Sequence, residues 1–162
     1  MEKNTGIKKF DENFRKSMEV VFKNEGGFTD DPDDLGGRTN MGITQSTYND
    51  YCKRYRVPVK DVKFLTKEEA IEVYYNDYWK KSGADKVETQ IEALILFDTA
   101  VLHGVGRAKQ FYKESNGNFE RMIQLRKEYY LKRVKQNPTQ KKYLKGWNNR
   151  ADNLLKLLKN KS

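Results

Sequence analysis

The stretch from Gln90 to His103 constrains the fold more than any other part of the chain. Ile91, Ala93, Leu94, Ile95, Leu96, Phe97, Ala100, Val101 and Leu102 leave it no polar face of helical width. A helix that is apolar nearly all round has to be enclosed by other elements. It is therefore expected at the centre of the molecule, ended by Gly104 and Gly106. No apolar run in the chain approaches the 18 residues that a membrane span needs.

The other segments supply amphipathic helices to surround it. Phe14, Met18, Val21 and Phe22 recur at helical spacing, which predicts a helix over 10–24 that stops at Gly26-Gly27. Thr44-Gln45-Ser46 opens a helix to about Arg56, ahead of Pro58. Thr66-Lys67-Glu68-Glu69 is a capping box. It starts a helix carrying Ala70, Ile71, Tyr74, Tyr75, Tyr78 and Trp79. A short helix over 107–113, a long basic one over 119–136 and a last one or pair over 140–159 complete the set. The fold class is mainly α, and 162 residues suit one compact unit.

Residues 28–43 differ in kind. They hold Asp30, Asp31, Pro32, Asp33, Asp34, Gly36, Gly37, Asn40 and Gly42, which is turn chemistry throughout. The segment lacks a core-forming run and reads as a functional loop, with a small hairpin turning near Gly36-Gly37.

The available chemistry is narrowed by what is missing. One histidine, His103, and one cysteine, Cys52, cannot build the usual zinc sites, and no phosphate-binding or dinucleotide motif is present. No metal and no cofactor are expected. Cys52 reads as a structural thiol, and His103 as a cap on helix-end carbonyls. Asp98, inside the apolar helix, must be paired if buried, with Arg107 or Arg150 as its partner.

Carboxylates remain. Glu25 lies four residues after Val21 and seven after Met18, on the apolar face of the first helix. A surface role there is disfavoured, because an anion at a helix C-terminus opposes the macrodipole. An apolar setting raises a carboxyl pKa, which suits a general acid. Gly26 and Gly27 leave room for a ligand beside it. A glycosidase needs a second carboxyl group across the scissile bond, and Asp30, Asp31, Asp33 and Asp34 are all candidates.

The run Glu25-Gly26-Gly27-Phe28, followed by Asp31-Pro32, Asp34, Gly36-Gly37, Thr39-Asn40 and Gly42-Ile43-Thr44, resembles the signature of glycoside hydrolase family 108. Further resemblance lies in Ala70-Ile71, Tyr74-Tyr75 and Tyr78-Trp79, in Phe97-Asp98 to Ala108, and in Tyr143 to Arg150. It covers roughly residues 12–155. It implies a lysozyme-like helical fold with a Gly/Asp-rich active-site loop or small hairpin, and N-acetylmuramidase activity with Glu25 as the acid. Residues 1–90 would be the catalytic region. Residues 91–162 would be a basic helical region resembling a predicted peptidoglycan domain, packed with the first as one unit. The plus-nine spacing of phage-type lysozymes favours Asp34 as the second catalytic residue, with Thr39 or Asn40 helping to hold water. Gly26, Gly27, Asp31 and Tyr78 are the expected substrate contacts.

Net charge is +9, and residues 105–162 carry a net +12. Such a field attracts a polyanion. Bacterial peptidoglycan is the expected partner. Nucleic acid and stable membrane insertion are not expected, and the chain is expected to be a monomer. The N-terminus has no apolar signal core, so synthesis in the cytoplasm and action on the wall after release or export are expected, as for a phage or prophage endolysin. Two other readings are a lytic transglycosylase, which needs no second carboxylate, and a non-catalytic wall-binding module. The Asp-rich loop speaks against the first and Glu25 against the second.

Overall fold

A computed structural model describes residues 12–25, 27 and 37–160. The architecture is mainly α, as expected. Helix α1 (Glu12–Asn24) leads to a two-stranded antiparallel hairpin, β1 (Thr39–Asn40) and β2 (Ile43–Thr44). Then come α2 (Gln45–Tyr55), a 3-10 turn (Val62–Phe64) and α3 (Lys67–Tyr74). A π-helical turn (Tyr75–Trp79) carries α3 directly into the short α4 (Lys80–Ser82). The chain ends with α5 (Gln90–His103), α6 (Val105–Ser115), α7 (Phe119–Gln136), a 3-10 segment (Pro138–Tyr143) and α8 (Leu144–Asn160).

Local chemistry accounts for the helix starts. The Thr44 hydroxyl accepts from Thr47 N–H at the head of α2. Thr66 and Glu69 satisfy each other's backbone N–H groups in the capping box of α3. Thr89 and Asn118 cap α5 and α7. Each such cap is worth about 1 kcal/mol. At the other end of α2, Arg56 adopts the left-handed conformation that closes the helix before Pro58.

The central position of α5 follows from its composition. Ala93 through Ala100 are all buried, Asp98 and Thr99 included. Phe97 meets the rings of Phe14, Tyr74 and Trp79 edge to face at 5.2–6.2 Å. Tyr74, Tyr75 and Trp79 are therefore core, while Tyr78 is half-buried. Cys52 is a buried free thiol, with its Sγ 3.8 Å from Pro58 O. No helix is long and apolar enough to cross a membrane among the described residues.

The hairpin turns at Met41-Gly42 rather than near Gly36-Gly37. Thr39 pairs with Thr44 and Asn40 with Ile43. Both turn residues have positive φ, 52° at Met41 and 83° at Gly42. This is the backbone sense that matches the twist of flanking strands. Gly36 lies outside the described residues, and Gly37 precedes the hairpin.

The positive charge of the C-terminal third is not all on the surface: Arg126 is fully buried and bonds Asp98. Arg133 lies with its guanidinium carbon 4.8 Å from the Trp147 ring centre, and Lys127 pairs with Asp152. Arg107 is not the partner of Asp98; it sits over the Tyr129 ring at 4.2 Å.

His103 does not cap carbonyls either. Its ring lies 5.0–6.4 Å from those of Tyr129, Tyr130 and Phe111. Neither ring nitrogen has a hydrogen-bond partner among the described residues. Burial, then the charges of Arg126 and Arg133, push its pKa well below the usual value, Arg150 adding to this and Asp98 opposing it. The folded protein thus holds a neutral imidazole where the unfolded chain would take up a proton below about pH 6.5. Stability should fall as pH drops through that value, with a slope of up to about 1.4 kcal/mol per pH unit from this group. Urea denaturation between pH 7 and 5 should show the slope in the wild type and a flatter one in His103→Phe. Equal slopes in the two proteins would refute this account.

Candidate active site

Glu25 is the last helically bonded residue after α1: its N–H still donates to Val21 O at 2.9 Å. The helix thereby aims the side chain inward, and it is only 15% exposed. Its surroundings are not the purely apolar face expected from spacing. One carboxylate oxygen, Oε2, is in an ion pair with Arg150 Nη1.

Arg150 is placed by a second carboxylate. Its Nε lies 3.1 Å from both oxygens of Asp98, and its Nη2 donates to Asp98 Oδ1 at 2.8 Å. Such a fork fixes the guanidinium plane. Asp98 Oδ2 also receives Arg126 Nη1 at 2.9 Å, and Arg126 donates to Tyr130 Oη and Thr99 Oγ1 as well. Burial alone would raise the Asp98 pKa, but the two guanidiniums overcome it and hold the carboxyl below its usual range. Glu25, Arg150, Asp98 and Arg126 thus form a charge-balanced line of alternating sign. It joins α1, α8, α5 and α7.

The other carboxylate oxygen, Oε1, faces the hairpin. A Cβ at Gly42 would run into Glu25 Oε1 and Tyr74 Oη and lie 2.8 Å from Glu25 Cδ. Glycine is required there on two counts, the positive φ and the approach of the carboxylate. Tyr74 braces the same turn by donating its hydroxyl to Met41 O. Burial, then the nearby charge of Glu25, pushes the Tyr74 pKa well up, so it stays a donor. Tyr78 shares this side of the site. It is hydrogen-bonded to Thr47, and burial raises its pKa, with the charges of Asp77 and Glu25 contributing.

The remaining expected residues are distributed unevenly. Asn40 is 8% exposed, and its amide donates to Val62 O at 2.8 Å and to Lys63 O at 3.3 Å. That donor ties the hairpin to the 3-10 turn, so it is committed to backbone rather than to a water at Glu25. Thr39 lies in β1 opposite Thr44. Gly27 is exposed, with nothing among the described residues within 4 Å of a Cβ built on it. Gly26, Asp31 and Asp34 lie outside the described residues.

Glu25 also lines a cleft of about 420 Å³. The C-terminal segment lines it too, with Lys142, Tyr143, Trp147, Asn149 and Asn153. Sequence reasoning had not assigned these residues to the site. The spacing of Trp147 and Arg150, three apart on a helix, was the available signal, since it puts both on one face.

A carboxylate oriented by a guanidinium, in a cleft lined by aromatic rings and amides, suits an enzyme that acts on a glycosidic bond. The chain belongs to the glycosyl hydrolase 108 family, whose model matches residues 18–104, more than half of its length. Its fold is similar to that of Brucella abortus SagA, with a TM-score of 0.69 and 28% sequence identity. The match covers 87% of this chain and 90% of that one. No curated protein matches the chain in sequence.

The steric argument at Gly42 is directly testable. Gly42→Ala should push the Glu25 carboxyl aside and lower hydrolytic activity by about 10²-fold, the usual cost of displacing a catalytic group by an ångström. Gly106→Ala, at an exposed position of α6 where a Cβ meets nothing among the described residues, should stay within about two-fold of wild type by the same reasoning. Rate assays on a cell-wall suspension check both. Equal losses in the two variants would dismiss the Gly42 contact as the cause.

Proposed function

We propose that this glycoside hydrolase degrades bacterial peptidoglycan as a muramidase, cutting the β-1,4 bond between N-acetylmuramic acid and N-acetylglucosamine. The observation that carries the reading is Glu25, held by Arg150 in the lining of the cleft with the hairpin turn against its other oxygen. In this reading Glu25 protonates the departing glycosidic oxygen. Arg150 keeps the carboxyl group pointed at the bond, so its orientation need not be found during the reaction. Asp98 balances the charge of Arg150.

The second carboxylate is proposed to be Asp34, nine residues after Glu25. Acting as a base on water, it would make the reaction inverting. Thr39 is kept as a candidate for holding that water. Gly26, Gly27, Asp31 and Tyr78 are proposed contacts to the sugar chain. A lytic transglycosylase would instead release a 1,6-anhydro sugar.

Glu25→Gln keeps the size of the side chain and removes its proton. It should lower the rate of wall lysis by about 10²–10⁴-fold, the usual worth of general acid catalysis. Mass spectrometry of wild-type products should show reducing muramic ends, and proton NMR an initial α-anomer. Anhydro-sugar products would overturn hydrolysis, and an initial β-anomer would overturn inversion.

A further inference from the structure

Three residues extend from Trp147 in a pattern that the acid chemistry does not explain. Tyr129 and Arg133 are four apart on α7 and so share a face. Arg133 holds its guanidinium carbon 4.8 Å from the Trp147 ring centre and 5.9 Å from that of Tyr129. Arg107 comes from α6 and lies over Tyr129 at 4.2 Å. Cations and rings therefore alternate in the order Arg107, Tyr129, Arg133, Trp147. All four are half-buried, and Trp147 belongs to the lining of the cleft that holds Glu25. Tyr129 is braced by the rings of His103 and Phe111, at 5.0 and 6.0 Å.

The two arginines are placed at a cost. Neither has a carboxylate partner among the described residues. Arg133 donates to Gln140 Oε1 at 3.3 Å, and Arg107 meets only the ring. Arg107 also lies in the first turn of α6, where the helix dipole opposes a cation. Two like charges beside one ring repel each other. An anion supplied from outside the protein offsets both effects.

The donors define the kind of anion. A guanidinium presents its N–H groups in a planar fork that matches a carboxylate. The rings between the forks add apolar surface, which a peptide bearing carboxylates can cover and a bare ion cannot. We infer that Arg107, Tyr129, Arg133 and Trp147 form a subsite beside the cleft for the peptide stems of the glycan strand, the two guanidiniums binding the free carboxylates of the stem. This rests on the reading of peptidoglycan as the substrate and deepens it. Trp147 is common to the cleft and the subsite, so a stem can be held while its glycan lies at Glu25.

The test uses soluble glycan strands in three forms: without peptides, with stems whose carboxylates are free, and with the same stems carrying carboxamides instead. Wild type should cleave all three. Its KM on the acid stems should be at least about five-fold lower than on the carboxamide stems, the scale of two half-exposed ion pairs. Arg107→Gln combined with Arg133→Gln should bring the two KM values together. Each single substitution should at least halve the preference, and these carry the test if the double variant does not fold. Arg107→Lys combined with Arg133→Lys keeps the charge without the fork and should retain only part of the preference. Lys135→Gln removes an exposed cation two positions from Arg133, on the other side of α7, and should leave the preference unchanged. A wild type without the preference, arginine variants that keep it, or an equal loss in Lys135→Gln overturns the subsite while the muramidase reading stands. If wild type cleaves none of the three strands, the muramidase reading itself falls and the subsite with it.

Discussion

The fold and the site both depend on one buried carboxylate. Asp98 has no exposed surface and lies within the most apolar helix of the chain. A charge there is tolerable only if it is paired and hydrogen-bonded. Arg150 and Arg126 meet that demand from two different helices, and each of them is buried in turn. Removing one member of such a group strands its partners, which typically costs about 3–5 kcal/mol. The ion pairs therefore tie α7 and α8 to α5 in one register. The end of that register is a guanidinium nitrogen at Glu25.

The other half of the site is held by shape. The carboxylate of Glu25 is pressed against the backbone of Gly42, and the turn that carries Gly42 is pinned from beneath by Tyr74 and from the side by Asn40. Met41 sits at positive φ within that turn, a conformation that non-glycine residues adopt at some cost. Its carbonyl is the group that Tyr74 binds. The strain is thus spent at the point where the hairpin meets the carboxylate, where preorganisation matters most.

Much of the fold was legible because helix signals are local. The capping box at Thr66, the stop after Tyr55 and the limits of Gln90–His103 and Phe119–Gln136 were all readable within a few residues of each boundary. The hairpin was harder. Its turn uses a methionine in a left-handed conformation, whereas Gly36-Gly37 is the more conventional turn pair. Arg126 could not be placed in the core from the sequence, because charge patterning says nothing about burial and its anion lies on another helix. Arg150 was readable as a partner of Asp98, but not of Glu25. Gly42 stood in the motif, yet only the packed structure reveals which side chain needs its missing Cβ.

The pair between Glu25 and Arg150 also sets an order of events. These residues are separated by 125 positions. During synthesis the carboxylate leaves the ribosome with α1, and its guanidinium arrives only with α8. No shorter intermediate of the growing chain contains both. The line of charges can be completed only after α8 has been made and has docked on α5, a long-range contact of the kind that forms late and slowly. A hydrolase whose acid is oriented by a helix 125 positions downstream acquires its competence only once that helix has docked.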